Sequence, residues 1–252
     1  MDDLRNLTPE EWSKVLTESS GEVEKVAIRL THGELLPWME VLAHYTQDSL
    51  EVLDLGCGHG ENAAVLALKG KWMTLLDWSE GNLDFCRRLF KALGKEAKYQ
   101  QADMTKPLPF ADQSFDTVFS CGVFEYFSDE QIKNILKEAF RISRKRVIIM
   151  VPNAWSVLYR FGMWYMIATK NWQWGGEKPF TSLRPHFQSV AGDLKLTEFS
   201  VGSKHSLHFL TMPGGRTLQR VIRKLFSLSD HSQPSRLNQG YLLITIGEKV
   251  AS

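Results

Sequence analysis

Residues 51–62 read EVLDLGCGHGEN. An apolar run ends on an acid, Asp54, and is followed by Gly56, Gly58 and Gly60. A strand that gives way to a glycine-rich turn, and then to the helix-compatible segment 61–69, brings a ligand close to bare backbone. A Cβ atom would obstruct that approach, which is the physical reason for glycine here. The spacing is GxGxG, whereas the dinucleotide fingerprint is GxGxxG, with a third glycine one position later that serves helix–strand packing beside a pyrophosphate. The turn alone marks a ligand near the backbone and leaves its identity open.

Apolar and amphipathic segments alternate around this turn. Strand candidates are 50–55, 72–76, 97–101, 115–120 and 146–151, with helical stretches at 61–69, 79–94 and 129–142. In the last of these Ile132, Ile135, Leu136, Ala139 and Phe140 share one face, and Ser128 with Gln131 forms a capping-box pattern. Two later strands, 196–202 and 241–248, complete the set. The alternation predicts an α/β fold: a doubly wound, mostly parallel seven-stranded sheet with helices on both faces. Thr8-Pro9-Glu10-Glu11 reads as a helix start, so segments 9–18, 22–30 and 34–46 form a helical lid within residues 1–47.

The expected organisation is one domain over 1–252, with a ligand-binding core at 48–151 and two cap insertions, 152–181 and 203–238. The first insertion carries Trp155, Tyr159, Phe161, Trp164, Tyr165, Trp172 and Trp174. Part of that set is expected to pack as a helix core, and part to form a lid for an apolar or aromatic substrate. The stretch 214–230 sets Leu218, Val221, Ile222 and Leu225 against Arg216, Arg220, Arg223 and Lys224. A solvated helix packed on the domain explains it, and a membrane surface or an anionic group is the sharper alternative.

The formal net charge of +1 lacks the electrostatic footprint of a nucleic-acid binder. Cys57, Cys86 and Cys121 are too few and too scattered for a disulfide framework or a zinc site, so no metal is expected and a reducing, cytoplasmic setting fits. The opening MDDLRNLTPEEW is too polar for a signal peptide. The apolar run 147–168 is interrupted by Pro152, Asn153 and Arg160, which suits a strand followed by a helix and argues against stable membrane insertion.

Two further acids sharpen the ligand. Asp77 ends the second strand (TLLDWS), where a carboxylate can accept hydrogen bonds from ribose hydroxyls, and Asp103 ends the third (YQQADM), within reach of an adenine amine. Trp78 offers a flat apolar wall for a purine. With VLDLGCGHG (52–60), LLDWS (75–79), QADM (101–104) and SFDTVFSCGVFEYF (114–127), the chain resembles class I S-adenosylmethionine-dependent methyltransferases of the small-molecule type.

That resemblance implies S-adenosyl-L-methionine as cofactor. Its methionine part would lie against Gly56, Cys57, Gly58 and Gly60, with Asp54 near its amino group and the Cys121, Gly122 and Val123 backbone completing the pocket. Asp77 would take the ribose hydroxyls and Asp103 the adenine amine, flanked by Trp78 and Met104. The implied reaction is methyl transfer to an O, N or C atom of a small, moderately apolar metabolite, by a monomer or homodimer. Alignment and exclusion of water then do most of the catalysis, and a base is needed only for a protonated acceptor. Tyr126, His205 and His208 are the candidates, Tyr126 standing where many relatives carry histidine. The alternatives are a nicotinamide oxidoreductase, a protein or RNA methyltransferase and a non-catalytic cofactor-binding module. The glycine spacing and Asp103 argue against the first. The lack of a broad basic region and of an (N/D)PPY segment argues against the second.

Overall fold

The computed structural model describes residues 7–172, 175–209, 211–212, 214–226 and 238–250. Seven strands form one sheet: β1 (Glu51–Leu55), β2 (Trp72–Asp77), β3 (Ala97–Gln101), β4 (Phe115–Cys121), β5 (Ser143–Pro152), β6 (Leu194–Val201) and β7 (Leu242–Lys249). Their spatial order is β3-β2-β1-β4-β5-β7-β6. The first five are parallel, and β7 runs antiparallel to both β5 and β6. In β1, Val52, Leu53, Asp54 and Leu55 are all buried, as a central strand covered on both faces requires. β3, with its AKYQQ sequence, has only half-buried and exposed positions because it is an edge. The winding direction reverses between β1 and β4, so the carboxyl ends of β1, β2 and β4 flank a crevice.

The sheet carries a core on each face. Val52, Leu75 and Ile148 join the buried sides of α2 (Val23–Thr31), α3 (Pro37–Tyr45), α4 (Glu61–Leu68) and α5 (Glu80–Ala92). Leu53, Leu76 and Ile149 point the other way, against α6 (Asp129–Ile142) and the short α8 (Arg184–Val190). All five expected apolar residues of α6 are buried. Its capping box is formed: Gln131 N–H donates to Ser128 Oγ (3.3 Å) and Ser128 N–H to Gln131 Oε1 (2.9 Å). The first helix, α1 (Pro9–Ser20), begins with the same device, Thr8 and Glu11 capping each other, and lies on α5.

Three differences from the sequence reading have local causes. β5 starts at Ser143, three residues early, because α6 runs straight into it. The polar Ser143, Arg144 and Lys145 hid that start, and the arginines here are neutralised at the opposite end of the sheet from the crevice, Arg144 by Asp116 and Glu51 and Arg146 by Asp48. The helix α8 went unread because it has 7 residues and buries only Phe187. In α7 (Val157–Ala168), Tyr159 is buried against Phe209 and Tyr241, while Phe161 and Trp164 are exposed. Among the described residues α9 (Gly215–Phe226) leaves Leu218 and Val221 exposed, and no helix is long and apolar enough to cross a membrane. Trp174 and residues 227–230 of the amphipathic stretch lie outside the described residues.

Candidate functional site

A cavity of about 860 Å³ opens at the carboxyl ends of β1, β2 and β4. Its floor is the glycine turn. Gly56 and Cys57 donate their N–H groups to the Leu76 carbonyl of β2 (2.8 and 2.9 Å), and Gly58 N–H donates to Asp77 Oδ2 (2.9 Å). The turn is therefore strapped to the neighbouring strand while its outer side faces the cavity. Gly60 sits at φ +70°, and a Cβ there would lie 2.8 Å from Cys86 Sγ and 2.9 Å from Leu75 Cδ2. That glycine performs the helix–strand packing that the dinucleotide fingerprint assigns one residue later. A Cβ on Gly58 would instead project to within 3.3 Å of Leu16 on α1, into the cavity. The helix α4 starts directly after Gly60 with no side-chain cap, which leaves its leading N–H groups for a ligand or solvent.

The three acids occupy different environments. Asp77 lines the cavity yet is buried, and its carboxylate is engaged: Ser79 N–H (2.9 Å) and Asn82 Nδ2 (3.0 Å) donate to Oδ1, and Gly58 N–H to Oδ2. Oδ1 is thus saturated, and Oδ2 retains room for one donor where the sequence reading expected the acid to serve two hydroxyls. Burial pushes the Asp77 pKa up, against the pull of those hydrogen bonds. Asp103 is exposed at the rim, with Oδ1 accepting from Thr105 N–H (2.9 Å) and Thr105 Oγ1 (2.7 Å), so Oδ2 is open. Asp54 does not line the cavity. It is 2% exposed, receives no hydrogen bond from any described residue, and is driven well above the usual carboxylate range by desolvation and by Asp77. The eleven other expected cofactor contacts all line the cavity, with Met104 and Val123 side by side next to Gly56.

The far wall is made of side chains. Tyr126 lines it and meets Trp12 of α1 edge to face, with ring centroids 5.1 Å apart. Trp38, Tyr241, Glu125 and Glu177 complete it. His205 and His208 do not line the cavity: His205 packs against Trp38 and Tyr241 from behind, and His208 is exposed. Nor do the described aromatics of the first insertion roof it, because Trp155, Phe161 and Trp164 face solvent, and Tyr159 and Trp172 form a separate cluster with Phe209. The roof is α1, through Trp12 and Leu16. The sequence marked α1 as a helix by its cap but gave no sign of which face looks inward. Glu177, in the polar stretch GGEKP, carried no signal at all. Among the described residues no group of three or more His, Cys, Asp or Glu side chains is placed to hold a metal.

Residues 52–146 match the family model described as "Methyltransferase domain". The fatty-acid O-methyltransferase of Mycolicibacterium smegmatis is 33% identical over 103 residues, which is 40% of this chain and 34% of that protein. A ubiquinone biosynthesis O-methyltransferase of Rickettsia felis is 30% identical over 93 residues, 36% of this chain and 37% of that one. The chain spans only 25–39% of the length of the curated relatives it matches. Among solved structures, magnesium protoporphyrin IX methyltransferase from Synechocystis PCC 6803, with bound SAH, superposes with a TM-score of 0.57 at 13% identity, over 96% of this chain and 93% of that one. A protein from Pyrococcus horikoshii OT3 gives 0.59 at 16% identity, over 85% and 88%.

Proposed function

We propose, from the premise that residues 52–146 form a class I methyltransferase domain, that the chain is an S-adenosylmethionine-dependent methyltransferase. Its acceptor is an O, N or C atom of a small, moderately apolar metabolite. The observation that carries this reading is the cavity itself. One end is bare backbone flanked by strand-end acids, and the other is a wall of aromatic side chains under α1.

The residues present fit the cofactor. A glycine turn that any side chain would fill, uncapped N–H groups on α4, and one buried carboxyl without a donor, Asp54, suit a ligand with a carboxylate and positive charge. Gly56, Cys57, Gly58 and Gly60 would hold its amino-acid part, with Asp54 beneath and Cys121, Gly122 and Val123 opposite. Asp77 would accept one ribose hydroxyl through Oδ2, and Asp103, Met104 and Trp78 would frame the adenine. When bound, the sulfonium supplies an activated methyl group. The protein's share is to hold the acceptor in line, keep water out with Trp12, Leu16 and Tyr126, and accept a proton where the acceptor carries one. In this reading 1–252 acts as one domain in which residues 1–47 cover the core.

Calorimetry with S-adenosylmethionine, S-adenosylhomocysteine and NADH tests it. Binding of the first two without the third is expected, with label from the methyl group recovered in extractable small molecules. Binding of NADH alone would sink the reading, and label in macromolecules would redirect it to protein or RNA.

A further inference from the structure

The aromatic end of the cavity holds two carboxyl groups that the methyl-donor end does not use. Glu125 follows β4 in a one-turn 3-10 helix at 124–126. It lines the cavity and is 3% exposed; its carboxyl is reached by its own backbone N–H, and the buried Oε2 has no partner among the described residues. Glu177 arrives from the other side, its loop anchored by Lys178 N–H donating to the Glu125 carbonyl (3.2 Å). Tyr159 Oη donates to Glu177 Oε1, and no other donor reaches it among the described residues. The two carboxyls lie within electrostatic reach of each other. Lys178 lines the cavity but is exposed and forms no ion pair with either acid among the described residues. Around the pair stand Trp12, Trp38, Tyr126 and Tyr241.

We propose that this constellation, Glu125 and Glu177 inside an aromatic enclosure, is the acceptor subsite and that it recognises a protonated amine carried on an aromatic or apolar body. The inference rests on the methyltransferase reading and narrows its acceptor to nitrogen. Counting hydrogen-bond capacity decides between acceptors. Four carboxyl oxygens face two protein donors, the Tyr159 hydroxyl and Glu125's own N–H, so a deficit of donors and of positive charge remains. An ammonium group supplies up to three N–H donors and the charge, whereas a hydroxyl supplies one donor and no charge. Aromatic faces add attraction for a cation and enclose its apolar body. Two acids without a third ligating group disfavour a metal ion at this position. Burial holds the protons of both acids above their ordinary range, Glu177 to about 7, as expected of carboxyls awaiting a cation.

The test is calorimetry on the full chain, with and without saturating S-adenosylhomocysteine, comparing 2-phenylethylamine with 2-phenylethanol, which share a body and differ in charge. The amine is expected to bind tighter by roughly tenfold to a hundredfold. Glu125→Gln and Glu177→Gln should each erase most of that preference while leaving S-adenosylhomocysteine affinity unchanged. Equal binding of amine and alcohol, no binding of the amine, or a preference that survives both substitutions overturns the proposal. If a variant loses S-adenosylhomocysteine binding through misfolding, the wild-type amine-to-alcohol ratio still decides. A wild-type chain that ignores S-adenosylhomocysteine defeats the methyltransferase reading instead, and the unliganded titrations keep the two failures apart.

Discussion

The glycine-turn end of the cavity and its aromatic end are built on different principles. The first is backbone at the carboxyl ends of consecutive parallel strands, strapped together by Leu76, Asp77 and Asn82. The second is a convergence of side chains from α1, α3, the turn after β4, the loop at 175–178 and the residue preceding β7. Backbone placed by a sheet leaves almost no freedom. Side chains delivered by separate loops can be exchanged one at a time, which lets one fixed floor carry different walls.

That contrast can be broken most severely at Gly60. Gly60→Ala combines a left-handed backbone with a clash against buried Cys86 and Leu75, and a loss of roughly 2–5 kcal/mol of stability is expected, read by thermal or urea unfolding. A well-folded Ala variant would mean that the turn is softer than its packing implies. The aromatic end should respond to pH instead. The folded protein holds the Glu177 proton more tightly than the unfolded chain does. The stability that Glu177 contributes to the unliganded protein is therefore full below about pH 4.5 and falls as pH rises toward about 7, by about 3 kcal/mol at most. Melting temperatures across that window should slope downward in wild type and less steeply in Glu177→Gln, with Asp54, Asp77 and Glu125 keeping their own share of the slope. Trp12→Ala removes an edge-to-face pair with Tyr126. Release of S-adenosylhomocysteine in stopped flow should accelerate by roughly three- to tenfold, with the fold unchanged. The smallest effect is expected from His208→Ala. An exposed residue behind the wall should alter turnover by less than about twofold, and a larger loss would restore His208 as a candidate base.

The same contrast governs what the sequence disclosed. Backbone architecture leaves marks that are local: β1, the glycine turn, and the acids ending β2 and β3 lie within 51–103, each readable from a short window. Even there the number of donors already on Asp77 was hidden, because Asn82 and Gly58 approach it through the fold. The aromatic end depends on distant partners. Trp12 and Tyr126 are 114 positions apart in the chain yet in ring contact, and nothing around Trp12 distinguishes an inward tryptophan from an outward one. The reverse error occurred at Trp155, Phe161 and Trp164. Their density suggested a roof, while the turn before α7 leaves Trp155 in solvent and the helix turns Phe161 and Trp164 outward.

The last strand in chain order, β7, occupies an interior place between β5 and β6. During synthesis, β1 to β4 can pair in the order in which they emerge, and with them the floor of the cavity. The strand β6 then has no neighbour, and the outer edge of β5 stays open until β7 slides between them, since β7 alone bonds to both. For that interval the nascent chain carries two unpaired edges of the kind that recruit other strands. Tyr241 immediately precedes β7, so the aromatic wall of the cavity is finished last. The glycine-turn end can thus be in place before the aromatic end of the cavity is closed.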